Sequence, residues 1–150
     1  MNRDSLSGYI ASSFIAGGQL EVLNTAGNVV LLDLADVKGV YFVREFHESE
    51  VLSRKTFTAR PRSEGLWVRL RFRDGEVMEG MMLNDLAQLS PAGFLLIPPD
   101  TRSNTQRIFV PRSAIMDLRV LAVIGASPRS RKRPPVDERQ REMFGEEHSA

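Results

Sequence analysis

The second half of this chain repeats the apolar skeleton of its first half at a constant offset of 78 positions. Val30, Leu32, Val37, Val40 and Phe42 return as Ile108, Val110, Ile115, Leu118 and Val120. Each copy has the pattern of a short strand, a turn and another strand, and a glycine-led strand precedes it (Gly8–Ile10 or Gly80–Met82). A duplicated run of short strands predicts a mostly β fold, with small barrels formed by two strand repeats.

The length and composition restrict the chain to a few classes. Its 150 residues suit one compact domain, or two very small ones that share a core. No apolar run approaches the roughly 18 residues that cross a bilayer, and no apolar segment of a signal peptide follows the first residues. The chain has no cysteine, so it has neither disulfides nor thiolate nucleophiles. We therefore expect a cytoplasmic protein with no membrane contact.

The charge distribution is balanced over the body of the chain. The net charge is +1, and six of the 20 basic and five of the 19 acidic residues follow Ser127, which leaves 14 of each sign before it. A protein that depends mainly on phosphate contacts usually has a basic excess. The neutral body therefore does not favour that class.

The pattern divides the chain into four segments. Residues 1–43 form the first β repeat, 44–65 a charged connector, 66–125 the second β repeat, and 126–150 a proline-punctuated tail that we predict to be disordered. The two repeats are expected to make one compact unit. Within the second repeat, residues 66–73 alternate between apolar and polar, and Asp74-Gly75 favours a two-residue hairpin turn.

One strand face carries a candidate site for a ligand or nucleic acid. Trp67, Arg69, Arg71 and Arg73 share this face at steps of about 7 Å. Together they could hold a phosphate backbone and stack a base, and Arg54, Lys55, Arg60 and Arg62 come shortly before them. The alternative is a solvated strand face whose arginines pair with Glu76 and Glu79 across the sheet. Both interpretations stay open at this point.

Two further segments are rich in polar groups. The loop 98–107 holds Asp100, Arg102, Asn104 and Arg107, which either bind a ligand or form a turn capped by Asp100 and Asn104. The tail holds Arg129, Arg131, Lys132 and Arg133. These residues could contact nucleic acid or an acidic partner, or they form a solvated tail.

The sequence gives little support for catalysis. The chain has only two histidines, His47 in the connector and His148 in the tail, so it has no histidine pair with metal-ligand spacing. It also has no glycine-rich phosphate loop. We predict that the protein is not an enzyme, with no catalytic residue, no cofactor and no metal.

Parts of the second repeat resemble two known families. Residues 68–80 resemble the opening strands of the Sm-like and SH3-like small barrels, and residues 108–115 are similar to their closing strands. Residues 89–96 resemble the Ser-x-x-Gly strand start of PilZ domains, which bind cyclic di-GMP. The resemblance implies a ligand site of Arg69, Arg73 and Ser90.

Most of residues 8–124 resemble an uncharacterised bacterial two-repeat domain that tends to occur beside signalling modules. The likeness lies in residues 37–46, the Asp-Gly-Glu hairpin, and residues 93–100 and 104–110. We therefore expect a non-catalytic binding module in bacterial regulation that acts through barrel loops and edge strands. A nucleic-acid binding protein and a cyclic-dinucleotide sensor are the alternatives.

The first repeat has no strand that corresponds to residues 66–73 of the second. This repeat therefore either borrows pairing from the other one or leaves a strand edge open. Because an open edge pairs readily with another strand, we expect a protein partner or a homo-oligomer.

Overall fold

The protein is mostly β. A computed structural model describes residues 4–46, 54–85, 87, 90–100 and 102–125. The strands are β1 (Gly8–Tyr9), β2 (Ile15–Ala16), β3 (Gln19–Asn24), β4 (Val29–Asp33), β5 (Val40–Val43), β6 (Gly65–Phe72), β7 (Val77–Met82), β8 (Gly93–Leu96), β9 (Thr105–Pro111) and β10 (Ile115–Ile124). Two 3₁₀ turns, Leu34–Asp36 and Arg112–Ala114, follow β4 and β9. No α-helix occurs among the described residues.

The strands form three small antiparallel sheets. In the first sheet β3 pairs with β4 along one edge and with the short strands β1 and β2 along the other. The second sheet has the order β10-β6-β7, and the third has the order β5-β9-β8. A two-residue bridge between Met81 and Ile97 joins the second sheet to the third, with both N–H···O distances at 2.9 Å.

The structure corrects the expectation of small barrels, because no closed barrel is found in the described part of the chain. Strand β9 has β8 on one edge and β5 of the first repeat on the other. Its edges are thus both occupied, and β10 pairs only with β6. The strands β10-β6-β7 and β8-β9-β5 therefore form an open path instead of a ring.

The repeat seen in the sequence is visible as a repeated unit of strand, 3₁₀ turn and strand. The first copy is β4, Leu34–Asp36 and β5, and the second is β9, Arg112–Ala114 and β10. The two turns contact each other, and the Ser113 hydroxyl donates a hydrogen bond to the Leu34 carbonyl at 3.1 Å. The two copies thus meet directly at their turns.

The β6–β7 hairpin has the predicted alternation but a longer turn. Val68, Leu70 and Phe72 are buried, whereas Arg69 and Arg71 are exposed. The turn has three residues instead of the predicted two, because the Gly75 N–H donates to the Phe72 carbonyl at 3.0 Å while Gly75 has a φ of +88°. A turn followed by a left-handed glycine is the usual three-residue hairpin loop.

Strand β9 lies between two apolar clusters. The first cluster is Val68, Leu70, Phe72, Met78, Met82, Leu96, Ile108 and Val110. The second is Leu20, Val22, Leu34 and Phe109, with Phe14, Val40 and Phe42 packed against it. Because side chains alternate along a strand, Ile108 and Val110 face one cluster and Phe109 faces the other. One strand of the second repeat therefore completes the core of the first.

Candidate functional site

The Trp67 and Arg69 side chains are bound to a buried carboxylate. Glu79 is only 3% exposed and lies opposite Arg69 in the β6–β7 pair. Its Oε1 accepts from Arg69 Nη2 at 2.8 Å and Nε at 3.1 Å, and its Oε2 accepts from Trp67 Nε1 at 3.2 Å. The Phe57 N–H donates to the same Oε2 at 3.0 Å. Glu79 therefore joins the sheet to the connector.

Glu79 is charged at neutral pH. Burial disfavours its ionised form, but the hydrogen bonds from the Phe57 N–H, Arg69 and Trp67 outweigh burial and hold the pKa of this carboxyl below its ordinary value. The pairing of Arg69 with Glu79 is the cross-sheet contact that the sequence offered as an alternative to ligand binding.

The other two arginines of β6 and its turn have different surroundings. Arg73 Nε donates to the Ser113 carbonyl at 2.6 Å, which ties the hairpin to the second 3₁₀ turn. Arg71 is exposed and forms no ion pair with another described residue. Of the four side chains predicted to form one binding face, Trp67, Arg69 and Arg73 therefore contact other parts of the chain, and Arg71 lies on the open surface.

Two lysines bind the carboxylates of the β6–β7 turn. Lys38 Nζ lies 2.5 Å from Asp74 Oδ2 and 2.5 Å from Glu76 Oε2, and Lys55 Nζ lies 2.6 Å from Glu76 Oε1. Hydrogen bonds from both lysines lower the pKa of the Glu76 carboxyl. Burial opposes the charge on Lys38, but its two carboxylate partners raise the pKa of this amine. Glu76 therefore pairs with lysines and not, as the sequence alternative had it, with arginines.

The polar segment 98–107 binds its own backbone at Asp100 and the end of the first repeat at Asn104 and Arg107. Asp100 Oδ1 accepts from the Arg102 N–H at 3.0 Å, as in a capped turn. Asn104 Oδ1 accepts from the Glu45 N–H at 3.0 Å, and its Nδ2 donates to the Glu45 carbonyl at 2.6 Å. The Arg107 guanidinium lies 5.3 Å from the centre of the Phe42 ring. Asn104 and Arg107 therefore hold β9 against the end of β5.

The remaining sequence-based candidates have few described contacts. Ser90 Oγ accepts from the Ala92 N–H at 3.2 Å, at the start of β8. Arg129, Arg131, Lys132 and Arg133 lie outside the described residues, as do His47 and His148.

A basic cleft of about 250 Å³ lies between the connector and the β7–β8 bridge. It is lined by Arg54, Phe57, Thr58, Ala59, Arg60, Pro61, Arg62, Ser63, Met81, Ile97, Pro98 and Pro99. The described residues of the lining include three arginines and no carboxylate. From the sequence, these arginines were expected to add to the candidate nucleic-acid face of β6, and the density of basic residues before that strand did not indicate a separate cleft.

Strands β4 and β10 are among the strands that have an open edge within the described residues. Strand β4 pairs only with β3, and β10 pairs only with β6. Both strands carry exposed apolar side chains, with Val29 and Leu31 on β4 and Met116, Val120, Leu121 and Val123 on β10. Exposed apolar side chains on a strand with one open edge are typical of a surface that pairs with another strand.

Two other features, a metal-binding cluster and a membrane-spanning helix, are absent from the described part of the chain. The described residues contain no group of three histidine, aspartate or glutamate side chains arranged to hold a metal ion. The same residues include no helix with the length and apolar character needed to cross a membrane.

The comparisons with known proteins give a family and no activity. A family model described as a family of unknown function, DUF6982, matches residues 1–122. No curated protein and no solved structure matches the chain.

Proposed function

Since the chain belongs to the DUF6982 family, whose function is unknown, we propose from its geometry that it is a non-catalytic interaction module that pairs with a second copy of itself through open strand edges. The observation that supports this proposal is the pairing of β5 with β9 inside one chain. This contact joins the last strand of the first repeat to the next-to-last strand of the second.

The repeat indicates which open edges are equivalent to this internal contact. A shift of 78 positions carries β5 onto β10, and the reverse shift carries β9 onto β4. Strands β4 and β10 each have an open edge, as described above. The chain thus forms this contact once, between β5 and β9, and leaves the two equivalent strands, β10 and β4, free to form it with another copy.

The internal register predicts the intermolecular one. Val40 lies opposite Phe109 in the β5–β9 pair, and Phe42 lies opposite Arg107. The equivalent antiparallel pairing places Leu118 of one copy opposite Leu31 of the next. In the same register Val120 lies opposite Val29.

The burial of equivalent residues supports the same pairing. Phe109 is 5% exposed because the core of the first repeat covers it, whereas its equivalent Leu31 is 59% exposed. Phe42 packs against Phe14 with ring centres 5.8 Å apart, whereas its equivalent Val120 is 52% exposed. Burying an exposed valine or leucine contributes roughly 1.5–3 kcal/mol to association.

This pairing is head-to-tail, since β4 of one copy meets β10 of another. Such a contact builds a closed ring or an open filament, depending on the rotation between copies. In this proposal each second repeat is an opened SH3/Sm-like unit whose last strand finds its partner in a neighbouring chain. The regulatory role expected from the sequence would then depend on whether the copies are assembled.

Disulfide trapping tests the proposal directly, because the chain has no cysteine. Val29→Cys and Val120→Cys are purified separately, mixed and oxidised. We expect a covalent dimer in the mixture and none in either variant alone. Leu95→Cys, at an exposed position of β8, replaces Val120→Cys in the matched control and should give no dimer with Val29→Cys.

Other outcomes would contradict the head-to-tail pairing. A dimer formed by Val120→Cys alone would show that two β10 edges meet each other. A chain that stays monomeric in sedimentation at millimolar concentration, with no trapped dimer, would refute self-pairing altogether.

A further inference from the structure

The backbone beside the basic cleft is anchored to the sheet. The Lys55 carbonyl accepts from the Glu79 N–H at 2.7 Å, and the Phe57 ring meets the Trp67 ring edge-on at a centre distance of 5.9 Å. A few residues later Pro61 is buried. The connector is therefore held on both sides of Arg60, so the arginines around it are presented by a fixed backbone.

Among the described residues, no ion pair balances the positive charge of the cleft. Arg54, Arg60 and Arg62 are exposed, and none of them forms an ion pair within the described part of the chain. The two carboxylates of the adjacent strand region already have partners, since Glu76 binds Lys55 and Glu79 binds Arg69. Three guanidinium groups around one small cleft repel each other, and a bound anion would relieve that repulsion.

The chemistry of the lining fits a phosphate group with an organic part. The planar guanidinium fork matches two oxygens of a phosphate at once, and the hydroxyl groups of Thr58 and Ser63 add further donors. The apolar side of the cleft is Met81, Ile97 and Pro98. A free inorganic ion would leave this apolar side unused.

We propose that this cleft binds a small phosphate-bearing organic ligand of about the size of a mononucleotide. The phosphate lies between Arg54, Arg60 and Arg62, and the organic part lies on the apolar side. The volume of about 250 Å³ is below the roughly 300–1,000 Å³ of pockets for larger ligands, which sets the upper limit on ligand size. No residue of β4 or β10 lines the cleft, so the ligand and the strand edges act at separate surfaces.

Titration of the full chain with defined probes tests the proposal. The probes are inorganic phosphate, adenosine monophosphate, adenosine and cyclic di-GMP, each followed by calorimetry and by the midpoint of thermal unfolding. We expect adenosine monophosphate to bind at least tenfold more tightly than either phosphate or adenosine alone, because only this probe uses both sides of the cleft. Binding raises the unfolding midpoint in proportion to the logarithm of ligand concentration.

Two variants assign the binding to the cleft. The double variant Arg60→Gln/Arg62→Gln should weaken adenosine monophosphate binding at least tenfold, and Arg60→Lys alone should weaken it less because the charge remains. Arg71→Gln removes an exposed arginine elsewhere on the surface and should leave the Kd unchanged. All three positions are exposed, so the variants keep the unfolding midpoint of the ligand-free protein.

Three results would overturn the proposal. One is the absence of any midpoint shift at millimolar concentration of every probe. Another is an equal loss of binding in Arg71→Gln and in the double variant, which would indicate general attraction to anions. The third is tight binding of a single-stranded oligonucleotide with none of the small probes, which would assign the arginines to a polymer. The strand-edge pairing is tested with variants of β4 and β10, so a failure of that proposal can be distinguished from a failure of ligand binding.

Discussion

Arg69 and Glu79 face each other across the β6–β7 pair, with the guanidinium Nη2 2.8 Å from a carboxylate oxygen that is buried. The second oxygen of the same carboxylate binds the N–H of Phe57. One side chain therefore fastens both the hairpin and the connector that forms one wall of the basic cleft. The stability of the sheet and the shape of the cleft are linked through Glu79.

The first prediction concerns Glu79→Gln. Glutamine has the same shape as glutamate but no charge. Its amide therefore replaces only in part the carboxylate that accepts four hydrogen bonds. We expect the free energy of unfolding in urea to fall by about 2 kcal/mol. Glu21→Gln, at an exposed position of β3, is the matched control and should change it by less than about 0.5 kcal/mol. Equal losses in both variants would contradict the structural role of Glu79.

The second prediction concerns acid pH. The pKa values of Glu76 and Glu79 are lowered in the folded state, so their contribution to stability is complete above the unfolded value near 4.5 and disappears as the pH falls through the folded values. The free energy of unfolding should therefore decrease from about pH 5 downward. Glu79→Gln should show a shallower decrease over the same range, and an identical slope in the variant would rule Glu79 out as a source of this pH dependence.

The third prediction concerns Gly93 in β8. A Cβ at this position would lie 2.2 Å from the Val110 carbonyl oxygen and 2.9 Å from Pro111 Cα, so the backbone of β9 would have to move. Gly93→Ala should destabilise the fold by about 2 kcal/mol in denaturant unfolding. Gly125→Ala is the control, because no atom of a described residue beyond its chain neighbours lies within 4 Å of its Cβ. Wild-type stability in Gly93→Ala would show that β8 and β9 are further apart than described.

The fourth prediction separates assembly from folding. Leu31→Lys and Val120→Lys each place a charge on an exposed position of an open edge. We expect sedimentation velocity to show monomers at concentrations where the wild type assembles, while the free energy of unfolding of the monomer changes by less than about 0.5 kcal/mol. Leu95→Lys, on β8, should assemble like the wild type. Assembly that survives both edge variants would locate the contact elsewhere.

The local features of the fold were accessible from the sequence. Alternation over residues 66–73 predicted β6, and Asp74-Gly75 predicted the hairpin turn that joins it to β7. These features depend on neighbours within a few residues. The length of the β6–β7 turn was wrong by one residue, because Asp-Gly serves both two-residue and three-residue loops.

The partners of the strands were not accessible in the same way. The offset of 78 positions shows that two segments are alike, but it does not show which strands pair. In the structure β5 pairs with β9 and occupies the edge that β10 would need to close a barrel. That choice depends on contacts such as Asn104 with Glu45, which join residues 59 positions apart. The contact of Arg69 with Glu79 was foreseen as an alternative because both lie in one hairpin. The basic cleft was missed because the connector has no periodic pattern.

Strand β9 contributes Ile108 to one apolar cluster and Phe109 to the other, and this has a consequence for how such a protein changes over generations. A deletion or recombination event that separated the halves of the gene would produce a first half with an uncovered apolar core and a second half with Phe109 exposed to solvent. We therefore expect neither half to fold alone, and a core substitution in one half to lower the stability of the other.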